Sequence, residues 1–229
     1  MATIVRSQRA SPGRRSSPSG NNRNRNGGSP GEPVYELHAT AQLDPRGTPI
    51  SAYRLITFLA IIWIVTLFVT LTLVLEWRWA HSTDWVSIPL PYVLYINTVI
   101  LLGSSLTMEF ARLSLRDDAS EKCARWIRVT LLLGLVFLAG QLVAWRELVS
   151  GGLHLASNPG SFFFYLITGA HGLHLLGGIV ALALVRRFVS RAAPRVKQQA
   201  AVDTIALYWH FMDGLWLYLL ALLFIGIQR

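Results

Sequence analysis

The 229-residue sequence is 52% hydrophobic and only 14% charged, a composition that excludes an ordinary soluble domain and indicates a membrane protein. Its formal net charge of +9 does not indicate a nucleic-acid-binding protein, because the basic residues lie in a tail and in short loops between apolar segments. The single cysteine, Cys123, excludes an internal disulfide and a cysteine-based metal site.

The first 50 residues form a distinct basic region. The stretches Arg14–Pro18 and Asn21–Gly28 are too polar, and the second is too rich in glycine, to bury a core. We therefore interpret residues 1–50 as a disordered N-terminal tail and residues 51–229 as a membrane domain. The first apolar stretch begins near Leu55 and is too long for the core of a signal peptide, so we expect it to be a first membrane anchor.

Five apolar segments follow the tail, each close to the roughly 20 residues needed to cross the hydrocarbon core of a bilayer. Their apolar residues are continuous rather than alternating, which predicts helices and not barrel strands. The predicted fold is an all-α polytopic bundle with five membrane spans, at about residues 55–75, 88–111, 127–146, 161–185 and 205–227. Cys123 falls between the second and third spans, in a segment that we expect to be a charged loop.

The distribution of basic residues predicts the orientation of the bundle. Of the 21 lysines and arginines, only Arg78, Arg146 and Arg229 fall on the side opposite the tail. Basic residues are enriched in the cytoplasmic segments of membrane proteins. We therefore expect the N-terminus inside and the C-terminus outside.

Four ionisable side chains fall inside the last two predicted spans. His171 and His174 lie three residues apart in the fourth span, and His210 and Asp213 have the same spacing in the fifth. At a rise of about 1.5 Å per residue, all four fall toward the middle of the bilayer, where polar groups are costly and usually functional. Because consecutive antiparallel helices usually pack together, we expect these side chains to form one buried polar cluster.

The residue types leave three interpretations of this cluster open. Three histidines and an aspartate could bind a metal ion or a haem. A His–Asp pair could relay protons, or the side chains could satisfy one another as a clamp between the two helices. We favour the clamp, since buried polar groups usually serve packing. Small residues in the fourth span would allow a helix, a partner subunit or a lipid chain to approach closely: Gly169, Ala170, Gly172, Gly177 and Gly178.

Other polar positions in the spans are secondary. Gln141 and Glu147 lie toward the outer end of the third span, and Glu109 lies near the inner end of the second, where the carboxylates can stay hydrated. Asn97–Thr98 and Ser104–Ser105, inside the second span, are suited to hydrogen bonds between helices. The sequence contains no inverted pair of glycine-broken helices and no nucleotide-binding or zinc-protease motif.

Two long motifs in the last two spans resemble a known family. The stretch Phe164–Gly178 resembles the Thr-Gly-x-His-Gly-x-His signature of haem–copper oxidase subunit III, and Tyr208–Leu217 resembles the Tyr-Trp-His-Phe-x-Asp-x-x-Trp signature of the same family. Gln141 and Glu147 fit its helix-end pattern, and the second span resembles that of its five-helix bacterial members. The resemblance covers about residues 55–227.

This resemblance implies a non-catalytic subunit of a proton-pumping terminal oxidase of aerobic respiration, in a prokaryotic inner membrane. It implies that the chain has no redox cofactor, that haem and copper belong to partner subunits I and II, and that the chain stabilises subunit I, binds phospholipid and supports proton uptake. The complex could join a larger respiratory supercomplex, and no nucleic acid is involved. In this interpretation the four residues His171, His174, His210 and Asp213 are structural or lipid-associated groups, neither catalytic nor metal-binding.

The sequence also departs from the family pattern. Many members have two further helices at the start, so the lipid cleft formed with that pair would here need another subunit or be absent. Many also carry a carboxylate midway along the helix that matches the first span, whereas Leu55–Leu75 has none. Three alternative functions remain: a subunit-III-like component of a nitric oxide reductase, a stand-alone haem-binding membrane protein and a transporter built around the His–Asp cluster.

Overall fold

The computed structural model describes residues 50–81, 91–154, 159–191 and 194–228, all within one compact unit of the chain. The helices are α1 (Ile50–His81), α2 (Val93–Arg116), α3 (Ser120–Ser150), α4 (Pro159–Val189) and α5 (Arg195–Gln228). All five are long and apolar enough to cross a membrane, which confirms the predicted all-α, five-span, multi-pass fold. Residues 1–49 of the predicted tail (residues 1–50) lie outside the described residues, as does residue 88, where the second span was expected to begin.

Four of the five helices are longer than the apolar segments that predict them, and α2 has the predicted length but lies five residues later in the sequence. α3 already begins at Ser120, because polar residues continue the helix beyond its apolar part into the headgroup region. The expectation that Cys123 lies in a charged loop is therefore wrong: the residue is in the first turn of α3, and its side chain is fully buried. α2 begins at Val93, two residues after Pro91, in keeping with the preference of proline for helix starts.

A tight turn joins α2 to α3. The connection has only three residues, and Asp118 adopts the left-handed conformation (φ 58°), which aspartate tolerates better than most residues. The turn makes α2 and α3 antiparallel neighbours, and they share the most extensive interface of the bundle. Gly140 of α3 permits this approach, because a Cβ atom there would overlap the carboxamide of Asn97 on α2.

α1 is the least packed of the helices. It contacts α4 and α5, whereas its described residues make no close backbone contact with α2, the next helix along the chain. Phe68 is 1% exposed and faces the bundle, but Trp63 is 73% exposed. Such a large apolar face is typical of a helix that borders lipid or another protein chain.

The core lies around α5, which contacts α1, α2 and α4. Trp209 and Trp216 are its largest fully buried side chains. Two glycines on neighbouring helices leave room for aromatic rings of α5. A Cβ atom at Gly134 of α3 would lie 2.9 Å from the Trp209 ring, and one at Gly178 of α4 would lie 2.9 Å from the Tyr208 ring.

Candidate functional site

A chain of polar side chains joins the middle of α2 to the middle of α5. Oγ of Ser105 lies 2.8 Å from Nδ1 of His210, and the Ser105 hydroxyl also donates to Oδ2 of Asp213. Asp213 is 3% exposed, and a carboxylate is costly at this depth, so the contact with Ser105 is important for its burial. Among the described residues, Oδ1 of Asp213 has no hydrogen-bond partner.

The single hydroxyl proton of Ser105 determines which of these side chains donates and which accepts in each hydrogen bond. While that proton points to the Asp213 carboxylate, the Ser105 oxygen can only accept from His210, so Nδ1 of His210 carries a proton. Nε2 of His210 lies 3.7 Å from Oε2 of Glu109 on α2. That contact is an ion pair only when the imidazole is protonated.

Ionic contacts continue the chain toward one end of the two helices. Nη1 of Arg112 donates to Oε2 of Glu109 at 2.9 Å, and Nε of Arg112 donates to Oδ1 of Asp203 on α5 at 3.0 Å. The Glu109 side chain is 41% exposed, whereas Asp213 at the other end of the chain is buried. α2 and α5 are thus joined at two levels, by hydroxyl contacts at mid-helix and by an ion pair nearer the surface.

The two tryptophans of α5 bind the same helix. Nε1 of Trp209 donates to Oγ of Ser104, and Nε1 of Trp216 donates to Oγ1 of Thr98, each at 3.0 Å. Trp209, Asp213 and Trp216 are spaced by four and three residues, which places them on one face of α5. This pairing confirms the expectation that the serines and threonine of the second span form hydrogen bonds between helices.

His171 lies at a different interface and is fully buried. Its ring is edge-on to Phe137 of α3, with ring centroids 6.0 Å apart, and its centroid is 5.3 Å from that of Trp216. Among the described residues, neither nitrogen of His171 has a hydrogen-bond partner, and the same is true of the buried carboxamide of Gln141, one turn along α3 from Phe137. Buried polar atoms are usually satisfied, so ordered water is the expected partner of both side chains.

His174 faces a third neighbour. Its Nδ1 lies 2.7 Å from the backbone oxygen of Ala170 on its own helix, and its ring is edge-on to Phe68 of α1, with centroids 5.9 Å apart. The hydroxyl of Tyr208 donates to the backbone oxygen of His174 at 2.9 Å, which joins α4 to α5. Glu147 is exposed near the C-terminal end of α3.

The structure therefore brings together only two of the four residues expected to form one cluster. His210 and Asp213 meet on Ser105 of α2, while His171 faces α3 and α5, and His174 faces α1. The contacts of His210 and Asp213 join α5 to α2, whereas the clamp was expected to join α5 to α4. In the described part of the chain, no group of three or more His, Cys, Asp or Glu side chains could hold a metal ion.

Sequence reasoning missed the pairing of Arg112 with Asp203. The two residues are 91 positions apart in the sequence, and nothing near either one in the sequence indicates a partner on another helix. The helical spacing of Glu109 and Arg112 was the one available signal for half of this contact.

An apolar groove of about 680 Å³ runs between α1, α4 and α5. Gly177 and Ala181 of α4 line one wall, and the space beside Gly177 is open, since a Cβ atom there would have no neighbour within 4 Å. Lys197 lies in the first turn of α5, at the same end of the groove as Tyr53 near the start of α1. The groove is thus apolar along its length, with a cation at one end.

The comparisons with known proteins agree on one family. The family model described as cytochrome c oxidase subunit III matches residues 54–227. A probable cytochrome c oxidase subunit 3 of Mycobacterium tuberculosis is 35% identical over 129 residues, which are 56% of this chain and 63% of that protein. The cytochrome c oxidase subunit 3 of Thermostichus vulcanus is 33% identical over 135 residues, which are 58% of this chain and 66% of that protein. The alignments thus span less than two thirds of the length of these relatives.

Proposed function

The chain belongs to the cytochrome c oxidase subunit III family, and on that premise we propose that it is the non-catalytic subunit III of a proton-pumping haem–copper oxidase. The observation that carries the proposal is the family match over residues 54–227, which reaches from α1 to α5. Haem and copper would belong to subunits I and II. This chain would stabilise subunit I and support proton uptake, in a prokaryotic inner membrane with its N-terminus in the cytoplasm, and the whole complex could join a respiratory supercomplex.

The polar contacts support a structural role for the His–Asp motif. Asp213 and His210 meet Ser105, and Trp209 bonds the neighbouring Ser104, so the motif ties α5 to α2 within this chain. The alternative of a stand-alone haem-binding protein would need its histidines to converge. His171, His174 and His210 instead face different neighbouring helices.

The names of the relatives bear on the remaining alternatives. They are named as subunits of cytochrome c oxidase, which favours an oxygen-reducing partner over a nitric oxide reductase. Membership of this family likewise disfavours a transporter built around the His–Asp cluster.

The apolar groove supports the phospholipid part of the proposal. Its volume of about 680 Å³ lies within the range of about 300–1,000 Å³ typical of ligand pockets. An acyl chain would lie along Gly177 and Ala181, and the phosphate would meet the ammonium group of Lys197 at the membrane surface. Because α1, α4 and α5 of this chain build the groove, a lipid there needs no additional pair of helices.

Purification of the full chain from native membranes tests the assignment of the subunit. We expect it to co-purify with a large partner that contains haem and copper, and we expect the chain to show no Soret absorbance once dissociated from that partner. A stoichiometric haem on the isolated chain would overturn the assignment. A haem-containing partner without copper would favour the nitric oxide reductase alternative.

Filling the groove tests the phospholipid site. In Ala181→Trp the indole would occupy the groove, so the purified complex should retain less phospholipid per chain than wild type, as measured by mass spectrometry of the extracted lipid. Leu173→Trp is the matched control, because Leu173 lies on the same helix, is 70% exposed and does not line the groove. Equal lipid content in the two variants would contradict the site without affecting the assignment of the subunit.

A further inference from the structure

A basic cavity of about 770 Å³ lies among the ends of α3, α4 and α5, on the side of the α2–α3 turn. Of the described residues that line it, Glu121 is the only acidic one, and five are arginines: Arg125, Arg128, Arg186, Arg191 and Arg195. The cavity shares no lining residue with the apolar groove. It is therefore a separate feature with the opposite chemical character.

One of these arginines has a structural role. Nη1 of Arg195 donates to Oγ of Ser120 at 2.6 Å, and Nη2 donates to the backbone oxygen of Asp118 at 2.7 Å. Nε of Arg195 also lies 3.5 Å from the Asp118 carboxylate. These contacts hold the start of α5 against the turn between α2 and α3 and so form one wall of the cavity.

The other four arginines outnumber the one acidic residue of the described lining, Glu121. None of the carboxylates in the described part of the chain lies within ion-pairing distance of their guanidinium groups. Like charges around one cavity repel one another, and the repulsion is relieved when an anion enters.

The lining also contains buried polar atoms that have no hydrogen-bond partner among the described residues. Nε of Arg186 is buried and makes no hydrogen bond to any described residue. Its neighbour in the lining, Gln198, is 3% exposed and held in place, since Nε2 donates to the backbone oxygens of Val189 and Arg191 at 3.2 and 3.0 Å. Basic residues that only set membrane orientation need neither a cavity nor a buried donor, so orientation alone does not account for Arg186.

The chemistry of the cavity suits a phosphate group. Guanidinium groups bind phosphate oxygens through paired N–H donors. The N-terminal dipoles of α3 and α5, which both begin at this cavity, also favour an anion, while the C-terminal dipole of α4, which ends there, opposes them. Basic pockets between membrane helices bind phosphate headgroups in other proteins. We infer that this cavity binds a phosphate-bearing anion, either the headgroup of an anionic lipid or a soluble phosphate compound. The inference does not depend on which catalytic subunit accompanies the chain.

Native mass spectrometry of the delipidated complex tests this inference, with tetraoleoyl cardiolipin as one probe and inorganic pyrophosphate as the other. The test variant is Arg125→Gln with Arg186→Gln, which removes two charges from the lining. Its control is Arg116→Gln with Arg187→Gln. These two arginines lie at the same end of the bundle, but they are exposed and do not line the cavity.

We expect the wild type and the control variant to bind a probe with similar affinity, and the test variant to bind at least tenfold more weakly. Saturable binding of cardiolipin alone identifies a lipid headgroup, and saturable binding of pyrophosphate identifies a soluble phosphate compound. Failure of both probes to bind, or an equal loss of affinity in the two double variants, would overturn the inference.

A second variant covers the case in which Arg186 is needed for folding. Arg125→Gln with Arg128→Gln changes two exposed side chains of the lining and should leave the fold intact. It should weaken binding of the same probe by several-fold relative to the control. An affinity equal to that of the control would likewise count against the site.

Discussion

Nε1 of Trp209 donates a hydrogen bond to Oγ of Ser104 across 3.0 Å, and neither residue has exposed surface. The Ser104 hydroxyl in turn donates to the backbone oxygen of Leu101, so its oxygen is available to the indole. This contact joins α5 to α2 in the core of the bundle. It also places the tryptophan ring beside Gly134 of α3, where a Cβ atom would lie 2.9 Å from it.

Ser104→Ala should therefore destabilise the bundle. The substitution leaves the indole N–H buried and unpaired, which costs about 1–2 kcal/mol in the free energy of unfolding. Unfolding in mixed detergent micelles measures the change. Ser114→Ala is the control, because that hydroxyl bonds only a backbone oxygen of its own helix, and its loss should change the free energy by less than about 0.5 kcal/mol. Equal changes would show that the α2–α5 contact contributes nothing.

Gly140→Ala should weaken the packing of α2 against α3. The added Cβ atom would overlap the Asn97 carboxamide, whose Nδ2 donates to the backbone oxygen of Phe137, so a helix or a buried amide has to move. We expect a loss of about 1–3 kcal/mol in the free energy of unfolding. Gly103→Ala is the matched control on α2, since a Cβ atom there meets nothing within 4 Å. That substitution should be neutral or stabilising by up to about 1 kcal/mol through helix propensity, and a loss as large as that of Gly140→Ala would contradict the packing argument.

Asp213→Asn should reduce stability and assembly more than initial turnover. The substitution removes the charge that accepts the hydroxyl proton of Ser105, and a hydrogen bond to a charged group contributes about 1.5–3 kcal/mol. The yield of assembled complex and its initial rate per enzyme are the two measurements. Asp117→Asn, in the exposed α2–α3 turn, should leave both unchanged. Normal assembly with abolished initial turnover would show instead that Asp213 takes part in the reaction.

A double-mutant cycle on Arg112→Gln and Asp203→Asn should reveal coupling between α2 and α5. The two side chains are 25% and 28% exposed and lie 3.0 Å apart, so we expect a coupling free energy of about 0.5–1 kcal/mol that decreases with added salt. The pair of Arg195 with Asp118 provides a comparison, since those side chains are 47% and 83% exposed and 3.5 Å apart. A coupling no larger than that of this exposed pair would show that the Arg112 contact does not stabilise the bundle.

Much of the fold could be predicted from local features of the sequence. The number and type of helices depend on the length of each apolar run, which is a local property. The serines and threonine of the second span were also recognisable as interhelical donors and acceptors, because a polar side chain inside a membrane needs a partner. The positions of the helix ends were harder to predict from the sequence, since polar residues such as Ser120 and Arg195 continue a helix as readily as they begin a loop.

The five spans, and the costly polar groups in the last two, thus follow from the amino-acid sequence alone. Which helix each polar group contacts depends on how the helices pack. His171 and His174 are three residues apart, about 60° around the helix axis, so they face different neighbours, α3 and α5 for the first and α1 for the second. His210 and Asp213 contact Ser105 because α5 packs against α2 as well as α4, and no local pattern encodes which distant helices become neighbours.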